Sequence, residues 1–449
     1  MAQSVSITST KITHKAPAVK IGNRMVGLDY APYVVNEISG NHLRNQERAR
    51  LLFSEAKRIG VEVIKIQTYT PESLAIEISK DRIDDHPQWK EAWGWNTGDI
   101  FNLYKQVYTP QGEFTEYLFT LGKEFGIDVF SAPFSVDDAR YLAEKFDPPV
   151  YKVAALEHDF FPMLDVIAQT RKPIIINFCV ATLERIEATL KFLEKAKSGT
   201  VILLTGPKIY QEDSARNFML GRLHALQERY GNTHVLGLSD HFLRGQYNGT
   251  YYQGHEFSVA GILQYGASVV EKHFCGCRSG LPGGAGGDVD GTASIVTEEM
   301  QAMLFWARQA WLKRSGQQIA PQSAAELNLI AQKAAYGYVA KAIGPSQPEI
   351  DTNEAGATRF IYANRDIPAG EKITQEDLHF SRAIHHANPN WKTHTPLSTA
   401  IVGQVLGNRV ITPVEKGDPV FAENLARPAD LQKAYEPGLF RLETRSVVA

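Results

Sequence analysis

A chain of 449 residues is too long for one small core and suits two domains, one of them large. Its 43% hydrophobic and 22% charged residues are ordinary for a soluble globular protein, and 47 basic against 50 acidic residues give no electrostatic reason to expect nucleic acid or an anionic membrane. No apolar run approaches a membrane span, the Ser-, Thr- and Lys-rich start lacks the stretch of a secretory signal, and three cysteines cannot build a disulfide framework, so the expected location is the cytoplasm.

Residues 34–38 read as a first strand, ending in Ser39-Gly40-Asn41-His42. Ala49, Leu52, Phe53, Ala56 and Ile59 recur at helical spacing, and Gly60 closes that helix. Residues 61–68 form a second strand with Lys65 and Gln67 on one face, because side chains alternate. A long excursion, 71–110, carries Trp89, Trp93 and Trp95, which argue for packed chain. Strands are predicted at 128–131, 150–154, 173–177 and 201–205. A helix striped by Leu183, Ile186, Leu190 and Leu193 follows the third of these, and another spans 220–230.

The run from Leu236 to Phe274 organises the rest. It opens with Gly237-Leu238-Ser239-Asp240-His241 and closes with Val269-Val270-Glu271-Lys272-His273-Phe274, around a crossover helix at about 254–265. His241 and His273 would stand on neighbouring strand tips, as hydrogen-bonded structural residues or as two imidazoles holding a divalent metal with positions open for substrate. Repeated βα units through about Leu312 predict an α/β chain with a (β/α)8 TIM barrel. In such a barrel Glu37, Lys65, Lys152, His241 and His273 project near one mouth, which argues for an enzyme.

After Gly344 the run Pro345-Ser346-Gln347-Pro348-Glu349 reads as a hinge. Beyond it, Ile367-Pro-Ala-Gly370-Glu371-Lys-Ile373 with Glu376-Asp377-Leu378 is echoed by Val414-Glu-Lys-Gly417-Asp418-Pro-Val420 with Glu423-Asn424-Leu425. The expected organisation is a catalytic barrel over 1–340, a linker over 341–357, a small β-rich unit over 358–427 and a tail over 428–449.

These residues carry a likeness. The chain resembles the sialic acid synthase (NeuB-like) family, which makes N-acetylneuraminate, pseudaminate and legionaminate by condensing phosphoenolpyruvate with an amino sugar. The matching runs are Glu37-Ile38-Ser39-Gly40-Asn41-His42, Lys65-Ile66-Gln67, Ala132-Pro133-Phe134, Tyr151-Lys152-Val153-Ala154-Ala155-Leu156-Glu157, Ala181-Thr182-Leu183-Glu184, Leu238-Ser239-Asp240-His241 and Glu271-Lys272-His273-Phe274. The small unit resembles the SAF (antifreeze-like, β-clip) domain, which in the family swaps across a homodimer.

The resemblance implies a nonulosonic acid synthase. It places a divalent metal, manganese before magnesium or cobalt, on His241 and His273. Lys65 and Lys152 would hold phosphoenolpyruvate, Ser239 would donate a hydrogen bond, and Glu37 or Glu157 would orient or deprotonate reacting groups. Asn41, Gln67, Tyr210, Asp288 and Arg382 complete the implied substrate contacts. The plain alternatives are structural ion pairs for the lysines and a solvated edge for Arg382; Cys275 and Cys277 read as small buried side chains.

Three segments depart from the family's pattern: Asn177-Phe178-Cys179-Val180, Leu204-Thr205-Gly206-Pro207-Lys208-Ile209-Tyr210-Gln211, and the glycine-rich run from Leu281 to Asp290. They cluster around the implied sugar pocket. The stretch 95–110 is like the longer loop of pseudaminic acid synthases, which points to a diacetamido hexose. Two other readings are a barrel reusing the metal site on a different aldol or hydrolytic substrate, and a non-catalytic sugar-binding scaffold.

Overall fold

The computed structural model of the chain describes residues 17–75, 100–207, 219–242, 244–247, 249–275, 294–338, 341–346, 349, 359–382, 397–427 and 435–442. An antiparallel hairpin, β1 (Ala18–Ile21) and β2 (Arg24–Gly27), comes first. The parallel wall then starts with β3 (Tyr33–Glu37), β4 (Val63–Thr68), β5 (Asp128–Pro133) and β6 (Tyr151–Val153). It continues with β7 (Ile174–Asn177), β8 (Val201–Thr205) and β9 (Val235–Asp240). A short hairpin, β10 (Gly245–Tyr247) and β11 (Thr250–Tyr252), precedes the last wall strand, β12 (Val269–Phe274). Two residues of β13 (Ser294–Ile295) extend β12 in parallel at its carboxyl end. The hydrogen-bonded order of the wall is β5-β4-β3-β12-β9-β8-β7-β6, and β5 packs beside β6, so the parallel sheet nearly closes as the predicted (β/α)8 barrel.

Alternation along the strands divides the core in two. Val35, Val63, Phe130, Ile175, Ile202 and Val269 form one cluster, on the barrel axis. Their neighbours one residue before or after, such as Ile64, Ile174, Ile176, Leu203 and Val270, pack with the helices. Val19, Ile21 and Val26 of the first hairpin join the axial cluster and stopper the end where the strands begin. The same phase continues to the other end, where it sends Glu37, Lys65, Lys152, Ser239, Glu271 and His273 inward.

The predicted elements stand with shifts of one or two residues at their ends. The first helix, Gln46–Arg58, buries Ala49, Leu52, Phe53 and Ala56, and Asn45 caps it by accepting from Arg48 N–H at 2.9 Å. The crossover helix is Glu256–Tyr265. Neither hairpin is legible in the sequence, since three- and four-residue strands offer too few alternations to read. Trp89, Trp93, Trp95 and Cys277 lie outside the described residues, while Cys275 is buried, as expected of a small side chain, and Cys179 is buried too.

In the small unit, β14 (Arg359–Ala363) pairs antiparallel with β15 (Leu378–Arg382). Its internal echo is structural. Ile367 bridges Val414, the equivalent residue of the second copy, and Gly370 and Gly417 share a left-handed backbone (φ +91° and +86°) open mainly to glycine. Asp377 accepts from Thr374 N–H at 2.7 Å, and Asn424 accepts from Phe421 N–H at 2.8 Å, at matching places.

Candidate active site

The strand phase gathers a buried ionic cluster at the barrel mouth. Lys65 pairs with Glu37 and lies 3.2 Å from Glu271 Oε1, and Lys152 Nζ lies 3.6 Å from the same oxygen. Ser239 Oγ donates to Glu271 Oε1 at 3.1 Å. All five residues are no more than 4% exposed. Burial pushes the Glu271 carboxyl up, but Lys152, Lys65 and the imidazoles of His273 and His241 outweigh it and hold the group at about 2. Two lysines against two carboxylates leave this cluster neutral, so an anionic ligand here needs further positive charge nearby. Glu37 is fixed from its other side by Ser39 N–H at 2.6 Å and by Gln67 Nε2 at 3.4 Å. Ser39 holds a left-handed backbone (φ +44°) to make that bond, a strained geometry of the kind that collects at functional sites.

The two histidines meet as the parallel pairing of β9 and β12 requires. Their ring centroids are 5.2 Å apart with planes at 45°. His241 Nδ1–H donates to the Pro207 carbonyl at 3.1 Å, which selects the tautomer whose Nε2 is the ligating nitrogen. Out of phase with these residues, Lys272 points into the helix layer and donates to Asp240 Oδ1 at 3.1 Å and to the Phe242 carbonyl at 2.6 Å. Asp240 also accepts from Ser258, so one buried pair ties both histidine-bearing strands together. Two non-stacked imidazoles, one oriented by a carbonyl, beside a strongly acidic carboxyl suit a divalent cation. Among the described residues no group of three or more His, Cys, Asp or Glu is placed to hold a metal ion.

Two departing segments are held by contacts that the sequence does not disclose. At Gly206 a β-carbon would sit 1.9 Å from the Ser239 carbonyl, so only glycine lets the end of β8 lie against Ser239. Buried Arg222 donates to the Gly206 carbonyl at 3.0 Å, the Cys179 carbonyl at 2.7 Å and Glu349 at 2.7 Å, joining both altered strand ends to the hinge.

Glu157 stands apart from the lysine cluster. Its Oε1 accepts from Arg382 Nη2 at 2.6 Å and Arg359 Nη2 at 3.1 Å, both from the small unit. Burial would raise this carboxyl, and the two arginines reverse that and hold it below the usual range. Arg382 also donates to the Tyr104 hydroxyl at 3.2 Å and bridges Ala75, placing β15 over the carboxyl ends of β4 and β6. These contacts lie within one chain, where the family resemblance implies a partner's module.

Asn41 donates to the Phe274 carbonyl at 2.8 Å and to Ser294 at 3.2 Å, at the carboxyl end of β12. Tyr210 and Asp288 lie outside the described residues. Glu271 is missing from the site that the sequence predicts, although its spacing of two from His273 on one strand is the signal that finds it. Nothing in the chain pattern marks Arg359.

Next to this mouth His42 is fully buried, bonded through Nε2 to Thr109 Oγ1 at 3.0 Å and through Nδ1 to Arg44 N–H at 3.0 Å. Burial, then Arg48 and Arg44, lower its pKa to about 3. A folded pKa below the ordinary 6.5 means stability present above 6.5 that is lost as pH falls towards about 3, with a slope of at most about 1.4 kcal/mol per pH unit. Denaturant titrations from pH 7 to 4 should show that slope, and His42→Asn should lack its share of it. Equal slopes in the two proteins would contradict this account.

The NeuB family profile matches residues 52–318 and the SAF domain profile matches 358–426, so this chain belongs to the NeuB family. It is 26% identical over 404 residues to the pseudaminic acid synthase of Campylobacter jejuni subsp. jejuni, covering 89% of this chain and 98% of that one. It is 25% identical over 381 residues to the pseudaminic acid synthase of Helicobacter pylori, with 83% and 93% covered. Among solved structures, the spore coat polysaccharide biosynthesis protein SpsE of Bacillus subtilis shares the fold with a TM-score of 0.65 at 18% identity, over 92% of this chain and 99% of that one.

Proposed function

We propose that this protein is a nonulosonic acid synthase. It joins C3 of phosphoenolpyruvate to the aldehyde carbon of an open-chain N-acetylated amino hexose and releases phosphate by C–O cleavage. The observation that carries the proposal is the buried set Glu37, Lys65, Lys152 and Glu271 beside two oriented imidazoles at a barrel mouth. The pseudaminic acid synthases that resemble it over most of its length favour a diacetamido hexose as the sugar.

In this reading Lys65 and Lys152 grip the carboxylate and phosphate of phosphoenolpyruvate, and Ser239 adds a hydroxyl donor. Because Glu37 and Glu271 already neutralise the lysines, the substrate's charge calls for the cation at His241 and His273. When bound, a divalent cation, manganese before magnesium or cobalt, supplies Lewis-acid polarisation of the sugar aldehyde. Glu37, immobilised by Ser39 and Gln67, is the carboxylate we assign to the water that adds at C2. Glu157, fixed between two arginines, moors Arg382 instead of moving protons, and Arg382 is assigned to the sugar; the resemblance adds Tyr210 and Asp288 to the sugar's contacts. Asn41 serves by holding the β3 and β12 ends together.

We further place the reaction in the cytoplasm; among the described residues no helix is long and apolar enough to cross a membrane. From the family resemblance we also infer a homodimer that exchanges SAF domains, in which a module docked on a partner barrel would make the same Glu157 contacts as one docked on its own.

Phosphate release from phosphoenolpyruvate with manganese and a panel of N-acetylated hexoses, with the product's mass, tests the reaction. No phosphate with any sugar would overturn it. Lys152→Ala should raise KM for phosphoenolpyruvate about a hundredfold and KM for the sugar only a few-fold, because a cation facing an anion in a desolvated mouth is lost. A rise confined to the sugar's KM would assign the lysines to the wrong substrate.

A further inference from the structure

Residues 435–442 lie beyond the matched SAF module, yet they touch both domains at once. On the barrel side, Asp165 of the helix Phe161–Gln169 is 2% exposed and takes three donors from this segment. Gly438 N–H donates to its carboxylate at 2.8 Å, Phe440 N–H at 3.1 Å and the Tyr435 hydroxyl at 3.2 Å. One turn on, Gln169 Nε2 donates to the Phe440 carbonyl at 2.7 Å and Gln169 Oε1 accepts from Leu442 N–H at 3.1 Å. The Tyr435 ring packs against both Phe161 and Phe192, which also touch each other. On the module side, Gln375 Nε2 donates to the Leu439 carbonyl at 2.7 Å, and Phe440 packs edge-on against Phe380, two residues before Arg382 on β15.

If the segment left, Asp165 would exchange three fixed hydrogen bonds for water and the apolar contacts of Tyr435 and Phe440 would be lost, so the segment and the helix are coupled. The backbone is shaped for this contact, since Gly438 donates from φ +97°, a conformation that other residues rarely adopt. Through Phe440 and Gln375 the coupling reaches the strand that carries Arg382.

We infer that residues 435–442 are a clasp that seats the SAF module on the barrel, making Asp165 and Tyr435 positioning residues for Arg382. The catalytic part of this inference rests on the proposed role of Arg382 towards the sugar. The clasp itself does not, because its contacts hold whatever the reaction is.

The test compares the full chain with Asp165→Asn, Tyr435→Phe and Gly438→Ala, and with a chain ending at Arg427. Amide hydrogen exchange over 359–382 should quicken about tenfold in Asp165→Asn and in the shortened chain, with the barrel strands unchanged. In steady-state assays KM for the sugar should rise about tenfold while KM for phosphoenolpyruvate stays within about twofold. If the shortened chain does not fold, the three point variants still decide the matter. Unchanged exchange over 359–382 in all of them overturns the clasp. Faster exchange with an unmoved sugar KM upholds the clasp and overturns its link to Arg382, and faster exchange in a protein with no synthase activity overturns only the proposed reaction.

Discussion

Alanine at His273 is expected to lower turnover at least about a thousandfold while leaving the barrel folded. The ring sits at the end of β12, 5.2 Å from that of His241, and the axial cluster that holds the barrel together lies further down the strand. Removing it should therefore cost chemistry far more than stability, as is usual at the carboxyl ends of barrel strands. Exhaustive chelation of the wild type should reproduce the loss, and added manganese should restore the wild type but not His273→Ala. Full activity in chelated protein would remove the metal from the proposal. Circular dichroism and the unfolding midpoint of the variant check that the fold survives.

Mixed dimers give the second large effect. His273→Ala chains and Arg382→Ala chains should each be nearly inactive alone. If modules exchange, a heterodimer pairs the intact barrel of one chain with the intact Arg382 of the other, and about one site per heterodimer recovers. If each module seats on its own barrel, every site in the heterodimer carries one lesion and nothing recovers. Tagged co-refolding shows that heterodimers formed, so absence of recovery would establish docking within one chain. Glu157 makes the experiment sharp, because one buried carboxylate receives both arginines and can serve only one module.

The barrel is legible because periodicity states it twice. Apolar runs mark the strands, and alternation within each run marks the side on which Glu37, Lys65, Lys152 and His273 lie. What stays hidden depends on contacts between residues distant in the chain. Glu157 belongs to a motif that suggests chemistry, but its partners Arg359 and Arg382 lie more than two hundred residues on, and no local pattern announces an ion pair. Arg222 reads in sequence as one more helix cation, and only the fold brings its three partners to it. The tail is silent for the same reason. Its donors are mostly backbone N–H groups, which every sequence carries alike.

The axial cluster, capped by the hairpin's Val19, Ile21 and Val26, fills the barrel below the lysines and leaves the mouth as the approach to them. Whatever binds at Lys65 and Lys152 lies deeper than whatever binds beneath Arg382, which stands at the sill. On the proposed assignment the ligand of the lysines would arrive first, because a sugar bound early beneath Arg382 would bar its way. Order of arrival would then be a matter of depth, imposed by an apolar interior that admits nothing from the far end of the barrel.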